Sequence, residues 1–269
     1  LGAWFGPVRS VARREYRLAI RRRWALGKTV LFGVFAVGIV LFGGSSVGPT
    51  RYGSLLATLV ELGVYVVPLV ALVAGYDTVV GAAARGSLDM LFALPVSRPQ
   101  VLVGKYLGRL AVLGGAIAVG LGAGGVLAVQ SVGLAGAGSY ATVLLAAVLT
   151  GAAFLSVSVL VSTLASKPTH ALGGVLVAWL WFVLLHDLAA IGLVAAVELP
   201  EALLAATVLA NPADVFRLFV LSGLETAPGG FAAVLAEMPL SAPVLLAALV
   251  AWIVVPLAVA ALRIRHRQV

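Results

Sequence analysis

The sequence predicts an all-α integral membrane bundle of six transmembrane helices, and three observations carry that reading. Residues 110–166 form a run of 57 positions without a single Asp, Glu, Lys or Arg. About 20 apolar residues cross a hydrocarbon core roughly 30 Å thick, so a run this long crosses, turns and crosses again. Hydrophobic residues make up 62% of the chain and the mean hydropathy is +1.14, above the roughly half-apolar composition of water-soluble domains. Finally, the basic residues fall almost entirely on one side of the spans that the charge-free windows define.

The elements follow in order. Residues 1–28 carry eight Lys or Arg, and no small-residue cleavage site follows the first apolar run, which predicts an uncleaved signal-anchor. Within them, residues 8–26 form an amphipathic wheel at 100° per residue. Val8, Val11, Ala12, Leu18, Ala19 and Leu26 share one face, and Arg9, Arg13, Arg14, Arg17 and Arg21 the other. Such a helix lies in the headgroup plane; the alternative is a plain topogenic arginine cluster. Spans are expected at 29–48, 53–76, 110–129, 141–165, 171–196 and 243–262. The long run breaks at 130–140, where Gly133, Gly136, Gly138 and Ser139 supply turn chemistry. Crowded glycines in span three, Gly120 and Gly124 among them, suit close helix contact.

Six spans put both termini on one face. Segments 1–28, 77–109, 166–170 and 263–269 then hold 16 of the 18 Lys and Arg residues, and the positive-inside rule makes that face cytoplasmic at the plasma membrane. Glu198, Glu201, Asp214, Glu225 and Glu237 lie between spans five and six. In that segment, 197–242, the apolar pieces 202–210 and 215–224 are too short to span and are punctuated by Asn211-Pro212 and Pro228-Gly229-Gly230. Short re-entrant or interfacial helices on the outer side are expected there. The domain reading is an elbow helix at 1–28 followed by a six-span body at 29–269.

The cytoplasmic segment 77–109 has its own internal logic. Ser87 can cap a short helix through Leu94, Asp89 sits in its first turn, and Pro95 ends it. Ser97, Pro99 and Gln100 form a capping box for a second helix that runs through Lys105 and Arg109 into span three. Leu88, Met90, Leu91, Phe92 and Leu94 would make a wet apolar patch unless a soluble partner covers them or they cover the ends of neighbouring spans.

Glu61 in span two and His186-Asp187 in span five are the clear intramembrane ionisable groups. They either face a bundle interior as functional groups, with Arg51, Arg217 or His186 as basic partners, or fix packing at the interface. Other chemistry is excluded by what the sequence lacks. There is no cysteine, hence no disulfide, thiolate metal site or cysteine nucleophile. The two methionines, Met90 and Met238, and the scattered His170, His186 and His266 form no clustered copper ligand set. No G-x-x-x-x-G-K-[ST] loop binds ATP, and no H-E-x-x-H motif supports metal-dependent proteolysis. A net charge of +8 suggests nucleic acid in a soluble protein, but here the charges mark topology, and no nucleic-acid partner is expected.

Gly86-Ser87-Leu88-Asp89, then Leu91-Phe92-Ala93-Leu94-Pro95-Val96-Ser97-Arg98, ending in Gly104-Lys105-Tyr106-Leu107-Gly108-Arg109, resembles the coupling segment of type-2 ABC exporter permeases. The resemblance implies an amphipathic elbow before six spans, short outer helices between spans five and six, and a loop after span two that docks on a cytoplasmic ATPase. Under it, Arg85, Gly86, Ser87, Leu88, Asp89, Met90, Leu91, Phe92, Leu94, Pro95, Ser97 and Arg98 are the coupling residues. It also implies a homodimer served by two ATPase subunits that carry the ATP and Mg, with no cofactor or metal on this chain. Within the family, Asn211, Pro212, Asp214 and Arg217 resemble a motif of the NosY-like branch, permeases of a copper-processing system for nitrous oxide reductase maturation. That branch implies copper or sulfur supply and an outer-face periplasmic-type partner. Two rival readings are an exporter of lipid-like or drug-like cargo and an ATP-independent membrane anchor. One departure is that Ala82, Ala83 and Ala84 stand where family members usually carry acids, leaving Arg85 without its usual acidic neighbours.

Overall fold

The computed structural model describes residues 2–21, 24–42, 49–88, 96–132, 136–196, 200–221 and 240–265. Among them every regular element is helical. The elements are α1 (Gly2–Arg21), α2 (Trp24–Phe42), α3 (Pro49–Gly75), α4 (Val80–Ala84), α5 (Arg98–Val132), α6 (Ala137–Leu164) and α7 (Pro168–Leu180). A π-helical turn (Trp181–Leu185), α8 (His186–Ala196), α9 (Glu201–Leu209), α10 (Pro212–Leu221) and α11 (Ala242–Arg265) complete the chain.

Five stretches are long and apolar enough to cross a membrane: Leu55–Ala84, Arg98–Val129, Ala137–Leu164, Pro168–Leu193 and Ala242–Arg265. Two bent pairs, α1 with α2 and α9 with α10, raise that to as many as seven if each pair is one span. The expected six lies within this range. Long apolar helices are the outcome lipid imposes, because a spanning backbone satisfies its own polar groups only as a helix or a closed barrel.

The bundle is built around α6. Its apolar window is 72% buried, against 17% for the stretch through α7 and α8 and 22% for α11, so α6 is the axis and the other two present broad faces to lipid. Small residues let neighbours approach α6 closely, and its hydroxyls grip their backbones. Ser156 donates to the Ile253 carbonyl of α11 at 2.8 Å and Ser158 to the Leu72 carbonyl of α3 at 2.5 Å. Ser162 Oγ accepts from the Val79 and Val80 N–H groups at 3.0 and 3.2 Å. This last contact satisfies the chain where it turns between α3 and α4, a place where unpaired donors would be costly.

α5 carries a glycine ridge of two halves. A Cβ at Gly108 would stand 2.6 Å from the Ala12 carbonyl oxygen of α1, and one at Gly120 would stand 2.5 Å from the Phe32 Cβ of α2. Gly104 and Gly124 are equally tight, against Val11 and Ala36. The helices therefore meet backbone to backbone, as expected for Gly120 and Gly124. The packed face of α1 differs from the wheel: Val8 and Val11 are buried on α5, whereas Leu18 and Leu26 are exposed. Leu18 sits at the edge of the wheel, and Leu26 belongs to α2, past the break.

Candidate functional site

Two polar clusters form at opposite ends of the bundle. At the end away from the arginine-rich segments, α10 begins at a sharp turn, bent 108° from α9. Asn211 makes that turn: its Oδ1 accepts from the Ala213 N–H at 3.0 Å, with Pro212 as the first helical residue. Its Nδ2 lies 2.9 Å from the Phe182 carbonyl, 2.9 Å from Asp214 Oδ2 and 3.1 Å from His186 Nδ1. Phe182 belongs to the π-helical turn, whose altered hydrogen-bond pattern leaves a carbonyl for an outside donor.

Arg217, one turn further along α10, is the hub. It lies 3.1 Å from Asp187, 3.2 Å from Asp214 and 3.3 Å from Glu61. His186 pairs with Asp214 at 3.1 Å. The guanidinium and Asp214 are almost completely buried, with side chains 4% and 1% exposed, whereas Glu61 is 44% exposed. Arg217 Nε is buried with no hydrogen-bond partner among the described residues. Glu61 Oε1 is close enough to that nitrogen to attract it but lies off the N–H direction. Two arms of the hub, to Asp214 and Asp187, are hydrogen-bonded, and the more exposed Glu61 arm is the weakest. His186, Asp187 and Asp214 offer ligand atoms within 4.8 Å of one another, close enough for a metal ion, but the Arg217 guanidinium already stands between the two carboxylates.

At the arginine-rich end, α1, the end of α3, and α5 are joined by a second cluster. Glu15 of α1 pairs with Lys105 at 3.3 Å and Arg109 at 3.0 Å; Arg109 reaches on to Asp77 at 2.6 Å; and Asp77 lies 3.6 Å from Arg85. Burial pushes the Glu15 carboxyl up, and the Lys105 and Arg109 cations together outweigh it, holding it below its ordinary value. Arg85 therefore has an acid after all, supplied by Asp77 eight positions earlier rather than by residues 82–84.

The expected coupling segment is described at its two edges. Gly86 has a left-handed backbone, φ 65°, which favours glycine. Ser87 donates to the Ala82 carbonyl at 3.0 Å, tying the segment back to α4. Leu88 is fully buried in the core, which removes it from the expected exposed patch: it anchors the segment instead of presenting it. Asp89, Met90, Leu91, Phe92, Leu94 and Pro95 lie outside the described residues, as does the Arg51 side chain. Beyond the gap, Gln100 Oε1 accepts from the Ser97 N–H at 2.8 Å, the returning half of a capping box. Gln100 Nε2 donates to the Trp4 carbonyl of α1 at 3.3 Å, and Arg98 donates to the Arg265 carbonyl of α11 at 3.2 Å.

The structure thus brings Glu61, His186 and Asp187 together with Asn211, Asp214 and Arg217: of the basic partners the sequence offered, Arg217 pairs with Glu61 and Asp187, and Asp214 and Asn211 join the same cluster. Glu15 and Asp77 were missed. The available signal for Glu15 was that it is the lone acid of a strongly basic segment, and such an acid is turned toward the nearest buried cations; Asp77 shares its segment with Asp89 and carried no such signal. A family described as ABC-2 family transporter protein matches residues 9–268 of the chain. Two relatives, each named probable ABC transporter permease protein NosY, come from Pseudomonas aeruginosa and Stutzerimonas stutzeri. Each is 34% identical over 272 residues, covering 97% of this chain and 99% and 98% of the respective relative.

Proposed function

The chain belongs to the ABC-2 transporter family, and from that premise we propose how it links a cytoplasmic motor to the far side of the bilayer. It is a permease subunit without an ATPase site of its own; ATP is hydrolysed on a separate cytoplasmic subunit. In the proposed mechanism, ATPase closure pushes the segment 87–94, and the push enters the bundle through Leu88 and through the Arg85–Asp77–Arg109–Glu15 relay. The observation that carries this reading is the pair of acids on one rod. Glu61 and Asp77 stand 16 positions apart on and just after α3, about 24 Å at helical rise, and each engages an arginine of another element. A tilt of α3 driven at Asp77 thereby loads the Glu61–Arg217 contact, the weakest arm of the opposite hub. The working unit is a homodimer with both termini in the cytoplasm, and it alternates between inward and outward states.

The finer reading is a NosY-like role in metalloenzyme maturation, supplying copper or sulfur together with an outer-face partner, and the near full-length likeness to the two relatives supports it. A second reading, amphipathic cargo, is favoured by an apolar cleft lined by Phe32, Phe35, Leu59, Leu62, Val66 and Phe216, beside the Glu61–Arg217 pair. Co-purification with a candidate ABC ATPase subunit tests the core of the proposal. Replacing Leu91 and Phe92 by Asp is expected to abolish the complex while leaving the folded permease in the membrane; undisturbed assembly removes the coupling segment from the mechanism. Nitrous oxide reductase that still acquires its copper in a strain lacking the chain would remove the finer reading.

A further inference from the structure

α1 has a second face that the proposed mechanism does not use. Its α5-facing side is centred on Val8, Val11 and Ala12 against Gly104 and Gly108. Diametrically opposite at 100° per residue lie Arg9, Arg13, Arg14, Arg17 and Arg21, all exposed. Arg9, Arg13, Arg17 and Arg21 recur every four residues, about 6 Å apart along the axis. The only acid of α1, Glu15, is turned inward and neutralised by Lys105 and Arg109. Among the described residues, no carboxylate stands within ion-pair distance of any of the five arginines. A shallow groove runs along this face between Ser10, Arg13, Arg14, Arg17, Leu18 and Arg21. Exposed apolar side chains flank it on both sides: Leu18 on one, Phe5, Tyr16 and Ile20 on the other.

We propose that this arginine face of α1 is a binding surface for the headgroups of anionic glycerophospholipids, selecting them over zwitterionic ones. A docked acidic protein would satisfy the charge, but it would leave the flanking Phe, Tyr, Leu and Ile side chains in water. A bilayer interface satisfies both, with aromatic rings at headgroup depth and guanidinium groups on phosphate. Arginine also matches phosphate geometry with two parallel donors. The same helix clamps Lys105 and Arg109 through Glu15, so lipid charge acts on the end of α5 that adjoins the coupling segment.

The test uses the full chain purified in neutral detergent and offered phosphatidylglycerol and phosphatidylcholine in equal amounts, with the retained lipid quantified by mass spectrometry. Phosphatidylglycerol is expected to be retained severalfold over phosphatidylcholine. Replacing Arg13 and Arg17 by Gln is expected to bring that ratio close to one, given the contribution each basic residue makes near an anionic surface. Arg263→Gln with Arg265→Gln is expected to leave it unchanged. If the Gln variants do not insert, salt titration of the unaltered chain reads the same surface, because exposed charge contacts are screened. Equal retention of the two lipids, or a preference indifferent to salt and to the Gln substitutions, overturns the proposal. So does release of the ATPase by Arg13→Gln and Arg17→Gln with lipid preference intact, which would assign the face to a protein.

Discussion

Arg217 shows how one residue holds a polar site inside an apolar bundle. A buried ion pair is a poor source of net stability, yet removing one partner strands the others without water, typically at a cost of about 3–5 kcal/mol. Arg217→Ala is therefore expected to destabilise the chain by about 3 kcal/mol, read as a marked drop in melting temperature in detergent, because the buried Asp214 and the half-buried Asp187 lose their counter-charge. Glu61→Gln is expected to cost less than about 1 kcal/mol, since that carboxylate is 44% exposed and makes no hydrogen bond to Arg217 Nε, and exposed pairs contribute little. If the mechanism proposed above holds, it nevertheless uncouples transport from ATP hydrolysis. A parent-like melting curve for Arg217→Ala would remove the hub from the account of the fold. At the other end, Glu15 has a depressed carboxyl pKa in the folded state. Its pairing therefore stabilises fully above its ordinary value of 4.5 and is lost as pH falls through the lower folded value. Melting measured downward from pH 6 is expected to show an acid-side loss that Glu15→Gln flattens; an identical acid limb in both proteins would contradict it.

Between elements, α5 is decided by where its glycines meet backbone. Gly108 and Gly120 leave no room for a Cβ, whereas nothing lies within 4 Å of one built at Gly122. Overpacking a filled contact costs about 1–3 kcal/mol. Gly108→Val and Gly120→Val are thus expected to lower the melting temperature clearly and to loosen α1 and α2 from α5, while Gly122→Val leaves it near the parent. Equal effects at the three sites would mean that helix propensity, and not contact, sets the response. The existence of this glycine-rich helix was legible in the sequence, and so was the pairing role of Gly120 and Gly124. The α1 contact at Gly104 and Gly108 was not, because those glycines lie in a basic segment read as the approach to a span. Leu88 shows the converse: its neighbours suggested an exposed patch, and only the fold buries this side chain in the core.

Across the whole molecule, the absence of cysteine makes orientation directly testable. Ser166→Cys is expected to react with an impermeant thiol reagent only from the cytoplasmic side, and Ser241→Cys only from outside; both positions are exposed. The reverse pattern, or labelling of both from one side, would invert the topology and with it the placing of the ATPase. The sequence alone determined that the chain lives in lipid, where its charges concentrate, and that its motor is another protein, because hydropathy, charge spacing and motifs are local properties summed along the chain. Only the tertiary structure decided that α6 is the axis, that Glu61, His186, Asp187, Asp214 and Arg217 are one cluster, and that Asp77 serves Arg85 and Arg109. Those facts depend on which faces of distant helices meet, and in a bilayer nearly every helix is apolar all round, so periodicity carries little record of which face turns inward.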